Sequence, residues 1–128
     1  MSVIPDRKAL RELMKMPAGQ PVVMLNLLSF RGEEGRASYE RYVEAVRPLL
    51  AAAGASPIFF GDARAHLVSD ESWDMVLMVR YPEPRAFLRM ASSPEYQKIS
   101  HLREEALERA GLIAIHERPG SGTTELRL

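Results

Sequence analysis

The sequence predicts an α+β domain whose elements run strand, helix, strand, strand, helix, strand after one extra N-terminal helix. Residues 21–30 are almost continuously apolar between turn residues, which is typical of a strand buried on both faces. A second apolar strand at residues 73–81 follows a short polar connection, as in a hairpin. Helical apolar spacing occurs between these strands, and the 128 residues suit one domain with its own core.

The composition narrows the class of protein. The 17 basic and 17 acidic residues balance, which argues against a binding surface for nucleic acid or for an anionic membrane. Without cysteine there is no disulfide framework, no thiolate nucleophile and no cysteine metal site. Because we find no apolar signal core and no membrane-length run, we expect a cytoplasmic protein. Residues 1–128 are predicted to form one domain, with a helical extension at 1–20, a core at 21–118 and a tail at 119–128.

The leading helix and the central strand come first in the chain. Residues 5–16 place apolar side chains on one helical face, with Pro5 at the first helical position and Asp6 near the positive end of the helix dipole. Residues 21–30 then form the central strand. Within this strand Asn26 places an amide among apolar side chains. A buried amide without partners costs about 1–3 kcal/mol, so this residue needs a structural or functional explanation.

A loop, a helix and a second strand follow. We expect a polar loop at residues 31–37, because two glycines and two glutamates follow the strand. Ser38 is a good N-cap for the next helix, and Gly54 suits its left-handed stop. Residues 56–68 alternate in polarity, which predicts the second strand.

The second half of the chain supplies the remaining elements. A polar connection at residues 69–72 leads into the strand at residues 73–81. A short helix begins near Pro84, and a longer amphipathic helix is predicted for residues 94–110. Residues 112–117 form the last strand, and we find no internal repeat or domain linker.

This element order predicts a particular sheet. Right-handed crossovers place the first and third strands side by side, and we expect them to be parallel, with the second and fourth strands at the edges. The arrangement is the ferredoxin-like sandwich. The two strands that the topology makes central are also the two most apolar, so the pattern and the topology agree.

Alternation along the strands predicts which side chains share a face. We expect the odd-numbered set to face the helices, because all of its members are apolar. They are Val23, Leu25, Leu27, Met75, Leu77, Val79, Ile113 and Ile115. The even-numbered set mixes apolar side chains with polar ones. Because so apolar a second face is unfavourable in water, we expect a homodimer in which two such faces pack into a barrel.

Several short motifs resemble one protein family. They are Pro-Val-Val-Met-Leu-Asn-Leu-Leu at 21–28, Tyr39-Glu-Arg-Tyr42, Pro48-Leu-Leu before Gly54, Trp73-Asp74, Tyr81-Pro82, Ala86-Phe87 with Met90, and Ser93-Pro94-Glu95-Tyr96. They resemble domain-of-unknown-function family 1330, and the likeness covers roughly residues 20–117. The resemblance implies a dimeric α/β-barrel fold and no established reaction, so it transfers no catalytic residue. Relatives of that fold include cofactor-free monooxygenases, lactone isomerases, and haem-binding dismutases and peroxidases, an analogy at the level of the fold.

Six polar residues are candidates for a small-molecule site. They are Asn26, Tyr39, Arg64, His66, Asp74 and Arg80. Tyr39 matches the core stripe of its helix, so we expect a packing residue with its hydroxyl at the rim, within reach of a cleft between helix and sheet. The other five are expected on the dimer-facing side of the sheet. An amide, a guanidinium and an imidazole in an apolar cavity orient and polarise a carbonyl or enolate oxygen. His66 is the best candidate for catalytic proton transfer, because imidazole titrates near neutral pH.

The same residues also have a structural interpretation. In that case Asp62 or Asp74 pairs with one of the two arginines, and Asn26 bonds to backbone at the dimer seam. The sequence leaves both interpretations open.

We expect a homodimer that binds or converts a small apolar carbonyl-bearing molecule without a cofactor. No metal site is expected, since the three histidines lack metal-ligand spacing. The alternative is a non-catalytic accessory or stress protein whose barrel interior is only an interface. A haem protein with His101 as iron ligand is a third interpretation, drawn from the haem-binding relatives.

Overall fold

Four strands form one sheet, and the helices pack on one of its faces. The computed structural model describes residues 6–126, so the predictions for Pro5 and for the last two tail residues lie outside the described residues. The strands are β1 (Val22–Phe30), β2 (Ser56–Asp62), β3 (Met75–Tyr81) and β4 (Leu107–Ile115). The helices are α1 (Arg7–Met14), α2 (Gly32–Ala52), α3 (Pro84–Ala91), α4 (Pro94–Gln97) and α5 (Ser100–Ala106). Within the described residues, no helix has both the length and the apolar character needed to span a membrane.

The order of the strands confirms the ferredoxin-like sandwich. The sheet runs β2-β3-β1-β4, with β1 and β3 at its centre as the sequence predicts. The predicted parallel pairing of these two strands is wrong, because every neighbouring pair is antiparallel. The crossover through α2 returns the chain to the starting end of the sheet, so β2 has the direction of β1. The connection from β2 to β3 then reverses the chain, so β3 runs against β1.

Helix α1 begins where the sequence indicates. The Asp6 side chain is its N-cap and accepts a hydrogen bond of 2.7 Å from the backbone N–H of Ala9. Leu13 is buried and joins the hydrophobic core. The predicted leading helix is therefore present, and it packs through an apolar face.

Helix α2 begins earlier than predicted. It starts at Gly32, whereas the sequence predicts a loop at residues 31–37 and an N-cap at Ser38. Ser38 lies inside the helix, and its hydroxyl donates a hydrogen bond of 3.2 Å to the backbone oxygen of Leu102. The two glutamates of the expected loop lie in the first helical turn, where the helix dipole favours negative charge.

Gly35 is one of the two glycines that make residues 31–37 resemble a loop in sequence, and it has a packing role inside α2. A Cβ atom at Gly35 would lie 2.5 Å from the backbone oxygen of Ala106, at the end of α5. The same oxygen accepts a hydrogen bond of 2.9 Å from the backbone N–H of Arg31. The glycine therefore permits a close approach between two backbones inside a helical region, and it does not mark a flexible connection.

Strand β2 is shorter than predicted. It ends at Asp62, whereas the sequence predicts a strand over residues 56–68. Residues 63–74 connect it to β3 as a loop, in which Nε2 of His66 accepts a hydrogen bond of 2.9 Å from the backbone N–H of Trp73. The polarity of the sequence continues to alternate after Asp62, the last residue of β2 that pairs with β3. The pattern therefore predicts too long a strand.

The long helix predicted for residues 94–110 is also wrong. Two short helices occupy its first part, and β4 already begins at Leu107. Leu107 and Ala110 both pair with β1, and Leu107 is completely buried. The Leu-Glu-Arg-Ala segment favours a helix by intrinsic propensity, but pairing with the central strand overrides that preference. The predicted last strand at residues 112–117 is confirmed as far as Ile115.

The strand register assigns the faces of the sheet differently from the prediction. Val22 pairs with Tyr81, so the even residues of β1 share a face with the odd residues of β3. Met24 pairs with Ala114, so the even residues of β4 lie on that face too. This face packs against the helices and includes Asn26. The predicted face is correct for β3 and wrong for β1 and β4. The prediction assumes that odd-numbered residues face the helices in every strand, whereas the register turns the even-numbered residues of β1 and β4 toward them.

The second face of the sheet, which we call the open face, is apolar and is more exposed than the helix-facing side. Its apolar residues are Val23, Leu25, Leu27, Phe59, Val76, Met78, Ile113 and Ile115. Ile113 is 49% exposed and Phe59 is 54% exposed. Arg80 also lies here and makes two hydrogen bonds to the Glu117 carboxylate, of 2.7 and 2.9 Å. These hydrogen bonds raise the pKa of Arg80 and lower the pKa of Glu117.

The close contact at Gly35 gives a stability prediction. Gly35→Ala forces a methyl group against the backbone oxygen of Ala106, so we expect a loss of about 1–3 kcal/mol in the free energy of unfolding. Gly61→Ala is the matched control, because its Cβ would meet only the Phe59 ring at 3.5 Å, an ordinary contact. Urea denaturation measures both variants. Equal stability of the two variants would contradict the packing argument.

Candidate functional site

A cleft of about 1000 Å³ lies between the helix-facing side of the sheet and helices α2 to α5. Its lining is largely apolar, with side chains from all four strands on one side and from the helices on the other. A concave, mostly apolar space with a few polar groups is the usual form of a small-molecule site. We call this space the cleft.

Aromatic side chains are concentrated in the cleft. All four tyrosines of the chain and three of its four phenylalanines line it. The Tyr39 ring lies 5.4 Å from the Phe30 ring and 5.4 Å from the Tyr42 ring, measured between centroids. The Tyr42 ring meets Tyr96 edge-on at 6.2 Å. These contacts form a continuous aromatic surface from β1 across α2 to α4.

Two tyrosine hydroxyls pair across the cleft. The hydroxyls of Tyr42 on α2 and Tyr96 on α4 lie 2.8 Å apart, so one donates a hydrogen bond to the other. The N-cap Ser93 accepts a hydrogen bond from the backbone N–H of Tyr96, which holds this short helix in place. The Tyr39 hydroxyl has no hydrogen bond to any of the residues 6–126 and is available to a bound molecule.

Asn26 places its amide in the cleft at 9% exposure. Its Nδ2 donates two long hydrogen bonds of 3.4 Å, to the backbone oxygens of Met24 and Leu77. These bonds use the donors of the amide. No donor in the described part of the chain reaches Oδ1, so Asn26 offers a ligand an acceptor.

Burial keeps the cleft tyrosines in the protonated form. It raises the pKa of Tyr39 to about 12, while the positive charge of Arg103 acts in the opposite direction. Burial also raises the pKa of Tyr42 and of Tyr81. A neutral phenol donates a hydrogen bond, so at physiological pH the cleft presents hydroxyl donors to a ligand oxygen.

Arg103 brings a positive charge into the cleft. This residue of α5 is 8% exposed and lines the cleft. It lowers the pKa of Tyr39, Tyr42 and Tyr81 against the effect of burial, so its charge acts on all three hydroxyls. A guanidinium in a desolvated space stabilises negative charge on a ligand oxygen.

A second arginine lies at the mouth of the cleft. The guanidinium carbon of Arg36 is 4.7 Å from the centroid of the Phe30 ring. Its NH1 is 3.9 Å from Oδ1 of Asp62, and the other carboxylate oxygen, Oδ2, lies 3.5 Å from the Arg64 guanidinium. These side chains are half exposed or more, so their ion pairs contribute little to stability.

Comparison with known sequences assigns the chain to a family. Residues 33–116 match the family described as Domain of unknown function (DUF1330). The chain belongs to this family. The resemblance found in the sequence is thereby confirmed, while no curated protein matches the chain.

Several solved structures are similar in fold to this DUF1330 chain. A protein of unknown function from Rhodopseudomonas palustris is 25% identical, with a TM-score of 0.82 over 91% of this chain and 98% of that chain. A dimeric ferredoxin-like protein of unknown function from Bacteroides fragilis is 17% identical, with a TM-score of 0.57 over 79% of this chain and 100% of that chain. A hydroxynitrile lyase from Passiflora edulis is 11% identical, with a TM-score of 0.62 over 79% of this chain and 96% of that chain. For the last two, the likeness concerns the fold alone.

Two of the six predicted site residues meet in the cleft of this DUF1330 protein. They are Asn26 and Tyr39. The predicted position of Asn26 in a dimer-facing pocket is wrong, because the register turns it toward the helices. Tyr39, expected as a packing residue with its hydroxyl at a rim, is buried at 4% exposure with its ring against Phe30.

The structure places Arg64 and His66 outside the cleft. Both lie in the exposed loop after β2, because that strand ends before them. The side chain of Arg64 is 85% exposed and pairs with Asp62. His66 accepts its hydrogen bond from the loop backbone. The predicted grouping of these two residues with Asn26 is therefore wrong.

Asp74 and Arg80 have structural partners. One carboxylate oxygen of Asp74 accepts a hydrogen bond of 2.8 Å from the backbone N–H of Phe30. This bond extends the pairing between β1 and the start of β3. Arg80 lies on the open face and is bound by Glu117. Neither residue lines the cleft. The predicted pairing of Arg80 with an aspartate is replaced by a pair with Glu117.

Sequence reasoning missed the polar residues that the helices contribute to the cleft. Tyr42 and Tyr96 follow helical spacing, so they resemble core residues only. Arg103 lies between Ile99 and Ala106 in the apolar stripe of its helix, and a charge in such a stripe is a usable signal. No group of three or more acidic or histidine side chains that could hold a metal ion is present in residues 6–126.

Alkaline pH tests the burial of Tyr39 in this DUF1330 cleft. The pKa of Tyr39 is raised from its usual 10.0 to about 12 in the folded chain, so the unfolded chain ionises first as pH rises. Stability due to the neutral buried phenol is complete below pH 10 and is lost as pH rises through about 12. Between these values, Tyr39→Phe should lose less free energy of unfolding than the wild type, by on the order of 2 kcal/mol. Urea denaturation across this pH range measures the difference, and parallel losses in both proteins would contradict it.

Proposed function

We propose that the cleft binds a small apolar molecule that bears a carbonyl group, and that no cofactor takes part. The observation that carries this proposal is an apolar, aromatic space of about 1000 Å³ that contains hydroxyl donors, an amide and one buried guanidinium. Burial of an apolar ligand body supplies affinity, and the polar groups fix its orientation.

The Tyr39 hydroxyl is the donor for the carbonyl oxygen. The hydroxyl keeps its proton at neutral pH, since its pKa lies far above 7, and it has no bond to any described residue that a ligand must break. Asn26 accepts a hydrogen bond through Oδ1, so a ligand with a hydroxyl or N–H near its carbonyl is favoured over a bare ketone. The charge of Arg103 favours ligands whose oxygen carries or develops negative charge.

Conversion of the ligand is compatible with the same geometry. A hydroxyl donor and a guanidinium polarise a carbonyl and stabilise an enolate, which is the electrostatic part of many cofactor-free reactions. The Passiflora edulis protein with this fold is named a hydroxynitrile lyase, so the fold supports an enzyme elsewhere. Its low identity brings no reaction to this chain.

We further propose a homodimer through the open face. Eight apolar side chains lie on this face, and such a surface is unfavourable in water. The Bacteroides fragilis protein with this fold is described as dimeric. Arg80 and Glu117 satisfy one another, so an apolar partner surface can cover this pair without leaving an unpaired charge.

The alternative function is that of a non-catalytic accessory protein. This interpretation keeps the dimer and makes the open face, the interior of the barrel, an interface only. Arg80, the candidate site residue that lies on this face, is already bound by Glu117, which supports an interior that serves only as an interface. This pair lies outside the cleft and says nothing about a ligand there. The two interpretations differ only in whether the cleft takes a ligand.

Ketone binding tests the ligand proposal. Isothermal titration of the full chain with 2-heptanone and with acetophenone should show saturable binding, and both ligands should raise the melting temperature. Tyr39→Phe removes one hydrogen bond, so Kd should rise by roughly threefold to tenfold with the fold intact.

Trp73→Phe is the control for ketone binding, since this aromatic residue lies outside the cleft and stacks with Arg109. Its Kd should equal that of the wild type. Absence of binding by either ketone, or equal Kd values for wild type and Tyr39→Phe, would contradict the proposal and favour the accessory protein.

Substitution on the open face tests the dimer. Ile113→Glu places a charge in the proposed contact and should convert the dimer to a monomer in sedimentation analysis at micromolar concentration. Met14→Glu is the matched control, because this apolar side chain is also exposed, at 39%, and belongs to α1 and not to the sheet. It should remain dimeric. A monomeric wild type, or a dimeric Ile113→Glu, would refute this contact.

A further inference from the structure

A second cavity, of about 800 Å³, lies beneath α1 at the β4 edge of the sheet. Side chains of α1, β4 and α3 line it, and its interior is apolar. The apolar lining includes Leu10, Leu13, Met16, Ala110, Leu112 and Ala114. The ionisable side chains Asp6, Glu12 and His116 also line it, and all three are exposed. We call this space the α1 subsite.

Three side chains separate the α1 subsite from the cleft. Met24, Phe87 and Leu112 line both spaces, so they form the partition between them. Met24 and Phe87 are 4% and 8% exposed, so they pack tightly in the closed arrangement. A methionine side chain is unbranched and has three rotatable bonds. Of the three partition side chains, Met24 is therefore the one that changes rotamer most easily.

The α1 subsite depends on a segment outside the family match. That match begins at residue 33, whereas α1 ends at Met14. Helix α1 is N-capped by Asp6 and held to the core by Leu13. Its residues Ala9 and Leu10 line the subsite. The N-terminal helix thus lines a second apolar compartment beside the core.

We propose that the α1 subsite takes the alkyl tail of the ligand whose carbonyl end is bound in the cleft. This rests on the proposed function, because Tyr39 and Asn26 hold the polar end. The ligand class narrows to aliphatic carbonyl compounds with an unbranched chain long enough to pass Met24. A tail that ends in a carboxylate is disfavoured, because the interior is apolar and Asp6 and Glu12 lie beside it.

Chain length tests the proposal. Kd is measured by isothermal titration of the full chain with 2-heptanone, 2-nonanone and 2-undecanone. Each methylene that enters the α1 subsite should lower Kd by about fourfold, so 2-undecanone should bind at least about tenfold more tightly than 2-heptanone.

Filling the subsite provides the decisive variant. Ala9→Trp occupies it from the helix side and should bring Kd for 2-undecanone to within about twofold of that for 2-heptanone. Kd for 2-heptanone itself should not change. Lys8→Trp is the matched control, since this exposed neighbour on α1 does not line the subsite. Ala114→Leu fills the same space from β4, and it serves if Ala9→Trp does not fold.

The outcomes distinguish this proposal from the one on which it rests. Binding of 2-heptanone without a gain for the longer ketones overturns the α1 subsite and leaves the proposed function standing. A gain that survives both Ala9→Trp and Ala114→Leu also overturns it, since the tail then lies elsewhere. Failure of every ketone to bind overturns both proposals. A length-dependent gain that is lost in a filled variant and kept in Lys8→Trp supports the subsite.

Discussion

The register of β1 between β3 and β4 is the constraint on which both the cleft and the open face depend. Hydrogen bonding to two neighbours fixes which side chains of the central strand point to the helices. A slip by one residue would exchange the faces, moving Asn26 out of the cleft and Leu25 into it. The buried apolar side chains at Val22 and Leu28, both completely inaccessible, oppose such a slip. The position of the cleft amide is therefore a consequence of packing in the strand that carries it.

Packing also determines the chemistry that the cleft can offer. The aromatic surface that supplies much of the core places phenol groups where water is scarce, and burial raises their pKa. These groups then act as hydrogen-bond donors and not as bases at neutral pH. The Arg103 charge has the opposite effect on them, and it is held at 8% exposure by its helix. A donor and a positive charge in one desolvated space favour an oxygen ligand with partial negative charge.

The sequence was sufficient for the architecture and insufficient for the site. The run at residues 21–30 identifies the central strand, because only burial on both faces explains so apolar a segment. The predicted grouping of side chains on each face failed for a physical reason. Alternation shows which residues within one strand share a face, but which residues of two different strands share a face depends on the register between the strands. Arg64 and His66 were misplaced because polarity alternates beyond the last strand partner. The helix predicted through residues 94–110 failed for a related reason, since pairing with β1 outweighs local propensity.

The geometry also separates two roles that the sequence had combined. The predicted pocket lay inside the barrel, so it would exist only in the dimer. The cleft lies on the opposite side of the sheet and is lined by residues of one chain. Its aromatic surface, the Asn26 amide and the Arg103 charge are therefore all supplied by a single chain. Arg80, which the sequence placed with Asn26, is on the other face and bound to Glu117. Because all four strands contribute alternate residues to both faces, the proposed dimer contact on the open face acts on the cleft through the backbone of the whole sheet.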